Sequence, residues 1–161
     1  MNSCLQAVNA PDSAIMTSTQ GKIRLLIADD QPVILRGLSI MLGSEYDIEV
    51  IGLANDGVEA VELATDLAPD VVIMDLKMPS LNGIDATRNI LRNNKDIKVI
   101  ILTTFATDKL LSDAIESGAY AYLLKDTAEK NVIEMVRAAY QGVPNTSSEV
   151  FWQRPESIQG H

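Results

Sequence analysis

Five short apolar runs, each followed by a stretch of helical periodicity, limit this chain to very few architectures. The runs are Ile23–Ala28, Ile48–Ala54, Val71–Met74, Val99–Thr103 and Ala119–Leu124. The spacing predicts helices over Pro32–Leu42, Val58–Ala68, Ile84–Asn93, Asp108–Ser117 and Ala128–Gln141. Pro32 suits a first helical turn, Gly43 and Gly118 stand where helices should end, and Pro69 stops the second helix. In the last helix Val132, Ile133, Val136, Ala139 and Tyr140 recur at helical spacing. Strands that are apolar throughout must be covered on both faces. Their alternation with helices predicts an α/β domain with a parallel sheet and right-handed crossovers.

The ends differ from the middle. Residues 1–20 read as a polar, small-residue arm expected to be disordered, 21–142 as the folded domain, and 143–161 as a linker-like tail. The tail carries Pro144 and Pro155, with Arg154 as its one Lys or Arg, so no helix-turn-helix domain fits there. The net charge of −9, from 22 acidic and 13 basic residues, argues against a nucleic-acid or anionic-membrane surface. No run approaches the ~20 apolar residues of a membrane span, and the N-terminus shows no secretory signal pattern. The cytoplasm is the expected location. Cys4, the lone cysteine, has no partner for an internal disulfide. His161, the lone histidine, is the last residue, which removes a Ser/His/Asp triad and a histidine metal cluster. Chemistry here must run on carboxylates, a hydroxyl or a lysine.

In an open parallel sheet, ligands bind beyond the carboxyl ends of the strands, where strand order reverses. The first run delivers Asp29 and Asp30 to that edge, the third Asp75, the fourth Thr103 and the fifth Lys125. Singly, each has an ordinary reading: Asp30 as a helix cap, Thr103 as a strand end, Lys125 as a surface lysine. Together they do not. Close carboxylates repel, so a cluster of them holds a cation or performs chemistry.

The set Asp29-Asp30, Asp75, Thr103 and Lys125 resembles the active site of response-regulator receiver domains. The flanking text "IADDQPVILRGL", "VVIMDLKMP", "ILTT" and "GAYAYLLKD" is similar too, and the resemblance spans Lys22 to Gln141. The wording is nearest the NarL/LuxR branch, in which Lys-Asp often follows the fifth strand. Gln31 and Asn82 depart from it, standing where that branch often has His and Asp.

The resemblance implies a flavodoxin-like, doubly wound (βα)5 fold with a five-stranded parallel sheet of order 2-1-3-4-5. It implies a two-component phosphorelay switch in which Asp75 accepts a phosphoryl group from a sensor histidine kinase. Asp30 and Asp75 would bind Mg2+ directly, Asp29 through water, and the Lys77 carbonyl would complete the set, an all-oxygen ligation that suits this ion. Lys125 would offset phosphoryl charge, Thr103 would contact the phosphoryl group, and Tyr122 would occupy an aromatic switch position. The protein would then be no enzyme in the turnover sense, only assisting its own phosphotransfer and slow autodephosphorylation. Lys77 and Phe105 would overlook the approach of hydrolytic water and tune the phosphorylated lifetime. A homodimer through the face of the fourth helix, fifth strand and fifth helix, and transcription regulation by the parent protein, belong to the same implication. DNA binding by this chain alone does not.

Two rivals share parts of the pattern. A flavodoxin-like flavin binder needs a Gly/Ser/Thr-rich phosphate loop after the first strand, where Asp29-Asp30 would repel the phosphate. An aspartate-nucleophile phosphatase of the haloacid-dehalogenase type needs a second Asp two residues after the nucleophile, and Lys77 stands there.

Overall fold

The computed structural model describes residues 21–104 and 106–143. Strands and helices alternate in the order β1 (Ile23–Ala28), α1 (Pro32–Gly43), β2 (Ile48–Ala54), α2 (Gly57–Leu67), β3 (Val71–Met74), α3 (Gly83–Asn93), β4 (Lys98–Thr103), α4 (Asp108–Ser117), β5 (Ala121–Leu124) and α5 (Glu129–Gln141). All strand pairs are parallel, and the sheet runs β2-β1-β3-β4-β5. That is the order expected. It reverses direction between β1 and β3, which opens a crevice at their carboxyl ends.

The middle strands explain the arrangement. Every residue of β3 is buried, as are most of β1 and β4, because helices cover both sheet faces. The edge strand β2 behaves differently: Leu53 is exposed and the register slips, with Leu25 opposite Val50 but Leu26 opposite Gly52. Ile51 is thus the extra residue of a bulge, a common device at sheet edges.

Several boundaries differ from the sequence expectation, each for a local reason. Gly43 does not end α1 by a left-handed turn; it is the last helical residue, and Ser44 caps the helix with right-handed backbone. The Ser44 hydroxyl and amide both donate to the Ile40 carbonyl, at 2.6 and 3.1 Å. Ala68 leaves α2 to serve as its left-handed cap, φ 48°, ahead of Pro69. β5 begins at Ala121 rather than Ala119, since Gly118 (φ 95°) and the Ala119 amide, bonded to the Ala114 carbonyl, still finish α4. In α5 the buried stripe is Val132, Met135, Val136 and Ala139, whereas Tyr140 faces solvent.

One polar clasp ties α5 to the α1–β2 turn. The Arg137 Nε and Nη2 donate to the two Asp47 oxygens at 2.8 Å each, and Nη2 also reaches Glu45 at 2.8 Å. The hydrogen bond from Arg137 holds the Asp47 carboxyl below its ordinary range and raises the guanidinium. A paired, forked geometry exceeds the usual worth of a surface ion pair. Arg137→Ala is expected to cost about 1 kcal/mol and to lower Tm by about 4 °C at neutral pH. A depressed Asp47 value means this contribution is present above the unfolded carboxylate pKa and disappears as pH falls through the folded one. Thermal melts of both proteins from neutral to strongly acidic pH check it: the gap should close in acid.

Candidate functional site

The strand ladders place the acidic residues. Ala28 of β1 lies opposite Met74 of β3, and the Asp75 amide continues the ladder by donating to the Ala28 carbonyl at 3.0 Å. The Asp29 amide does the same toward Ala54 on the other side, also at 3.0 Å. Asp29 and Asp75 therefore leave adjacent strand tips on either side of the crevice. On β4, Ile101 lies opposite Met74, so Thr103 stands one residue farther out than Asp75. Thr103 pairs with Leu124, and its carbonyl accepts from the Lys125 amide at 2.8 Å, which sets the lysine at the same rim.

The side chains converge. Asp29, Asp30 and Asp75 each offer an oxygen within 4.8 Å of the others. Lys125 Nζ lies 2.6 Å from Asp29 Oδ2 and 3.4 Å from Asp75 Oδ2. Asp29 is 1 % exposed, Asp75 5 % and Thr103 0 %, while Asp30 is exposed. The Asp29 Oδ1 accepts from the Gln31 amide at 2.9 Å, and Asp75 Oδ1 from the Leu76 amide at 2.9 Å. Asp30 is not the α1 cap; that position is Gln31, whose side chain makes no cap bond.

Three carboxylates against one lysine leave a local deficit of positive charge. Burial, and then the charge of Asp29, push the Asp75 carboxyl above its ordinary range, against the opposing pull of Lys125 and the Leu76 amide. A buried carboxylate that resists ionisation beside two others is a group that a divalent cation would relieve.

The loop between β3 and α3 is set by two glycines whose importance is invisible in their spacing. A Cβ on Gly83 would lie 2.0 Å from the Asp75 carbonyl oxygen, and one on Gly57 would lie 1.9 Å from that of Leu81. The Gly83 amide donates to Leu76 at 2.8 Å, and Asn82 caps α3 by accepting from the Asp85 amide at 2.9 Å. Asn and Asp both serve at such a cap, so the Asn82 departure leaves the local structure unharmed. The patterns Asp56-Gly57 and Asn82-Gly83 read as turn chemistry; only packing reveals the close approaches.

The remaining site residues separate into three cases. Tyr122 lies in β5 opposite Ile101 with 1 % exposure, and burial pushes its hydroxyl up to about 12. Lys77 has an exposed position in the β3–α3 loop. Phe105 lies outside the described residues.

Comparison with known proteins agrees with this geometry. The family model described as "Response regulator receiver domain" matches residues 25–137. The transcriptional regulatory protein LiaR of Bacillus subtilis is 44% identical over 128 residues, covering 80% of this chain and 61% of LiaR. The response regulator protein VraR of Staphylococcus epidermidis is 38% identical over 120 residues, covering 74% of this chain and 57% of VraR. This chain thus spans only part of the curated relatives it matches. Among solved structures, a LuxR-family two-component response regulator from Aurantimonas superposes with TM-score 0.75 at 26% identity, over 86% of this chain and 94% of that one. The receiver domain of the putative regulator NarL from Mycobacterium tuberculosis gives 0.71 at 27%, over 75% and 98%. With a carboxylate cluster at the switch point and a family match over residues 25–137, the chain belongs to the response-regulator receiver domains, the phosphorylation-dependent switches of two-component signalling.

Proposed function

We propose that Asp75 accepts a phosphoryl group from the phosphohistidine of a sensor histidine kinase, with Mg2+ as cofactor. The observation that carries this reading is the buried Asp75 carboxylate, at the crevice between β1 and β3, 3.4 Å from the Lys125 ammonium and within reach of Asp29 and Asp30. One Asp75 oxygen forms a bond to phosphorus as the bond to the histidine nitrogen breaks. The electron pair leaves with the imidazole, and an acyl phosphate remains. Lys125, already between Asp29 and Asp75, is placed to meet the phosphoryl oxygens, and the Thr103 hydroxyl donates to one of them.

Receiver domains generally bind Mg2+ in an acidic pocket, and this all-oxygen donor set fits that ion. Asp30 and Asp75 would hold it directly, Asp29 through water, with the Lys77 carbonyl as a further ligand. Bound there, the ion would supply positive charge that offsets the charge of the transferring group. Asp30→Ala is expected to weaken Mg2+ binding far more than Asp29→Ala, because Asp29 is already committed to Lys125 at 2.6 Å. A calorimetric or fluorescence titration of both variants decides it, and equal losses would contradict these roles.

Phosphorylation is read out when Thr103 and buried Tyr122 rearrange, altering the face of α4, β5 and α5, where a homodimer or partner would form. Residues 21–142 would constitute the switch, with 1–20 as an arm and 143–161 as a linker; most of both ends lies outside the described residues. Transcription regulation by the parent protein and a cytoplasmic location complete the reading, and this chain alone would not bind nucleic acid. Among the described residues no helix is long and apolar enough to cross a membrane.

The switch resets by slow autodephosphorylation. Lys77 and Phe105 supply no carboxylate to orient the attacking water, so Phe105→Glu should shorten the phosphorylated lifetime several-fold; tenfold would correspond to ~1.4 kcal/mol in the barrier. Loss of label after donor removal, followed in both proteins, measures it. Superimposable decays would remove Phe105 from the timing.

A further inference from the structure

Charge is segregated in this molecule. From Gly37 to Leu76 the sequence holds nine of the chain's 22 acidic residues and none of its 13 basic ones. The outer side of α2 carries this excess to the surface. Val58, Glu62 and Asp66, spaced four residues apart, form one stripe, and all three are exposed.

A groove of about 680 Å3 reverses the sign. It lies at the end of the sheet opposite Asp75, where α3 and α4 finish and β4 begins. Arg88, Arg92, Lys95 and Lys98 line it against a single carboxylate, Glu116. Beneath the cations the floor is apolar, with Ile97 and Ala119 buried. The groove is too open to enclose a small molecule, whose sites bury most of the ligand. Cations over an apolar floor suit a protein surface that offers carboxylates beside an exposed apolar side chain, as the α2 stripe does with Val58.

The stripe and the groove cannot neutralise each other within one molecule. α3 packs between α2 and α4, and its side toward α2 is occupied by a cleft lined by Thr65, Ala68, Ile90 and Asn93. The body of α3 therefore separates the two surfaces. Among the described residues, Glu62, Asp66, Arg92, Lys95 and Lys98 make no ion pair. Their spacing also matches. Glu62 and Asp66 stand one turn apart on α2, about 6 Å along the axis, as Arg88 and Arg92 do on α3. Two such helices laid side by side can form both acid–base pairs at once.

We infer that the acidic stripe of α2 in one copy docks on the cationic groove of a second copy, with Glu62 and Asp66 against Arg92 and its neighbours. Each copy carries both surfaces at different places, so the contact is head-to-tail and leaves a groove free at one end and a stripe at the other. It differs from a symmetric pairing through α4, β5 and α5, in which one surface meets its own counterpart. The charge of −9 on every copy opposes approach, so the association is weak and reversible.

Sedimentation equilibrium of the full chain tests it. At about 0.1 M salt, with a screening length of ~10 Å, the weight-average mass should climb above the monomer as concentration nears ~1 mM, the weak end of association. About 1 M salt, screening within ~3 Å, should return it to monomer; an apolar contact between like-charged copies would strengthen instead. Arg92→Glu with Lys95→Glu should abolish the rise, and so should Glu62→Lys with Asp66→Lys. All four positions are exposed, so the reversals disturb no packing. An equimolar mixture of the two variants should associate again, because one retains the acidic stripe and the other the cationic groove. A chain that stays monomeric throughout would overturn the proposal and leave the groove to an acidic partner of another kind. So would association that survives either reversal, a mixture that stays monomeric, or association strengthened by salt.

Discussion

Asp75→Asn is expected to take up no phosphoryl group from acetyl phosphate and Mg2+, where the unaltered chain should gain one phosphoryl mass. The same substitution should also stabilise the metal-free protein. Burial and the neighbouring Asp29 outweigh Lys125 at this carboxyl, leaving its pKa raised. A carboxyl raised in the folded state favours folding while protonated. That advantage is complete below the unfolded value near 3.8 and is lost as pH rises through the folded one. At neutral pH the ionised group is therefore a cost, and a neutral amide removes it. Metal-free Asp75→Asn should melt above the unaltered chain at pH 7, and saturating Mg2+ should narrow the gap by stabilising the unaltered chain more. Mass spectrometry checks the first outcome and paired melts the second. Undiminished labelling of Asp75→Asn, or a lower melting temperature without metal, would contradict the acceptor assignment and the electrostatics respectively.

Gly83→Ala should be the most damaging small substitution near the site. The added methyl would lie 2.0 Å from the Asp75 carbonyl oxygen and 2.9 Å from the Leu76 Cα, both backbone atoms that no side-chain rotation can move. Either α3 backs away, breaking the Gly83–Leu76 hydrogen bond, or the Asp75 peptide shifts. Helix propensity alone would favour alanine over glycine here, so the sign separates crowding from propensity. The expected loss is about 3 kcal/mol, or roughly 10 °C in Tm, with impaired phosphorylation in the protein that still folds. Denaturant unfolding with an acetyl-phosphate assay reads both; equal stability would show that α3 adjusts freely.

Much of this molecule is legible without coordinates because its physics is local or periodic. Runs such as Val71–Met74 are apolar at every position, which only a strand covered on both faces can use. Strands of this kind joined by helices must lie parallel and deliver their last residues to one edge. That is why Asp29, Asp75, Thr103 and Lys125 could be grouped before their distances were known. Helix ends were less legible. Gly43 looked like a terminator, yet Ser44 does that work through its own hydroxyl, since either residue can close a helix and packing chooses.

What the sequence by itself determined is the inventory and the edge: which side chains carry charge or a hydroxyl, and that the alternation of strand and helix brings them to one rim. The tertiary structure decided how they share that rim. It assigned Lys125 to Asp29 at 2.6 Å more closely than to Asp75 at 3.4 Å, buried Asp29 while leaving Asp30 in solvent, and turned Tyr122 into the core. It also made Gly57 and Gly83 necessary as points of backbone contact rather than as turns. The reason is one of range. Periodicity and composition act over neighbouring residues, whereas ion pairing, burial and steric approach depend on groups brought together from distant parts of the chain, as Lys125 is to Asp29.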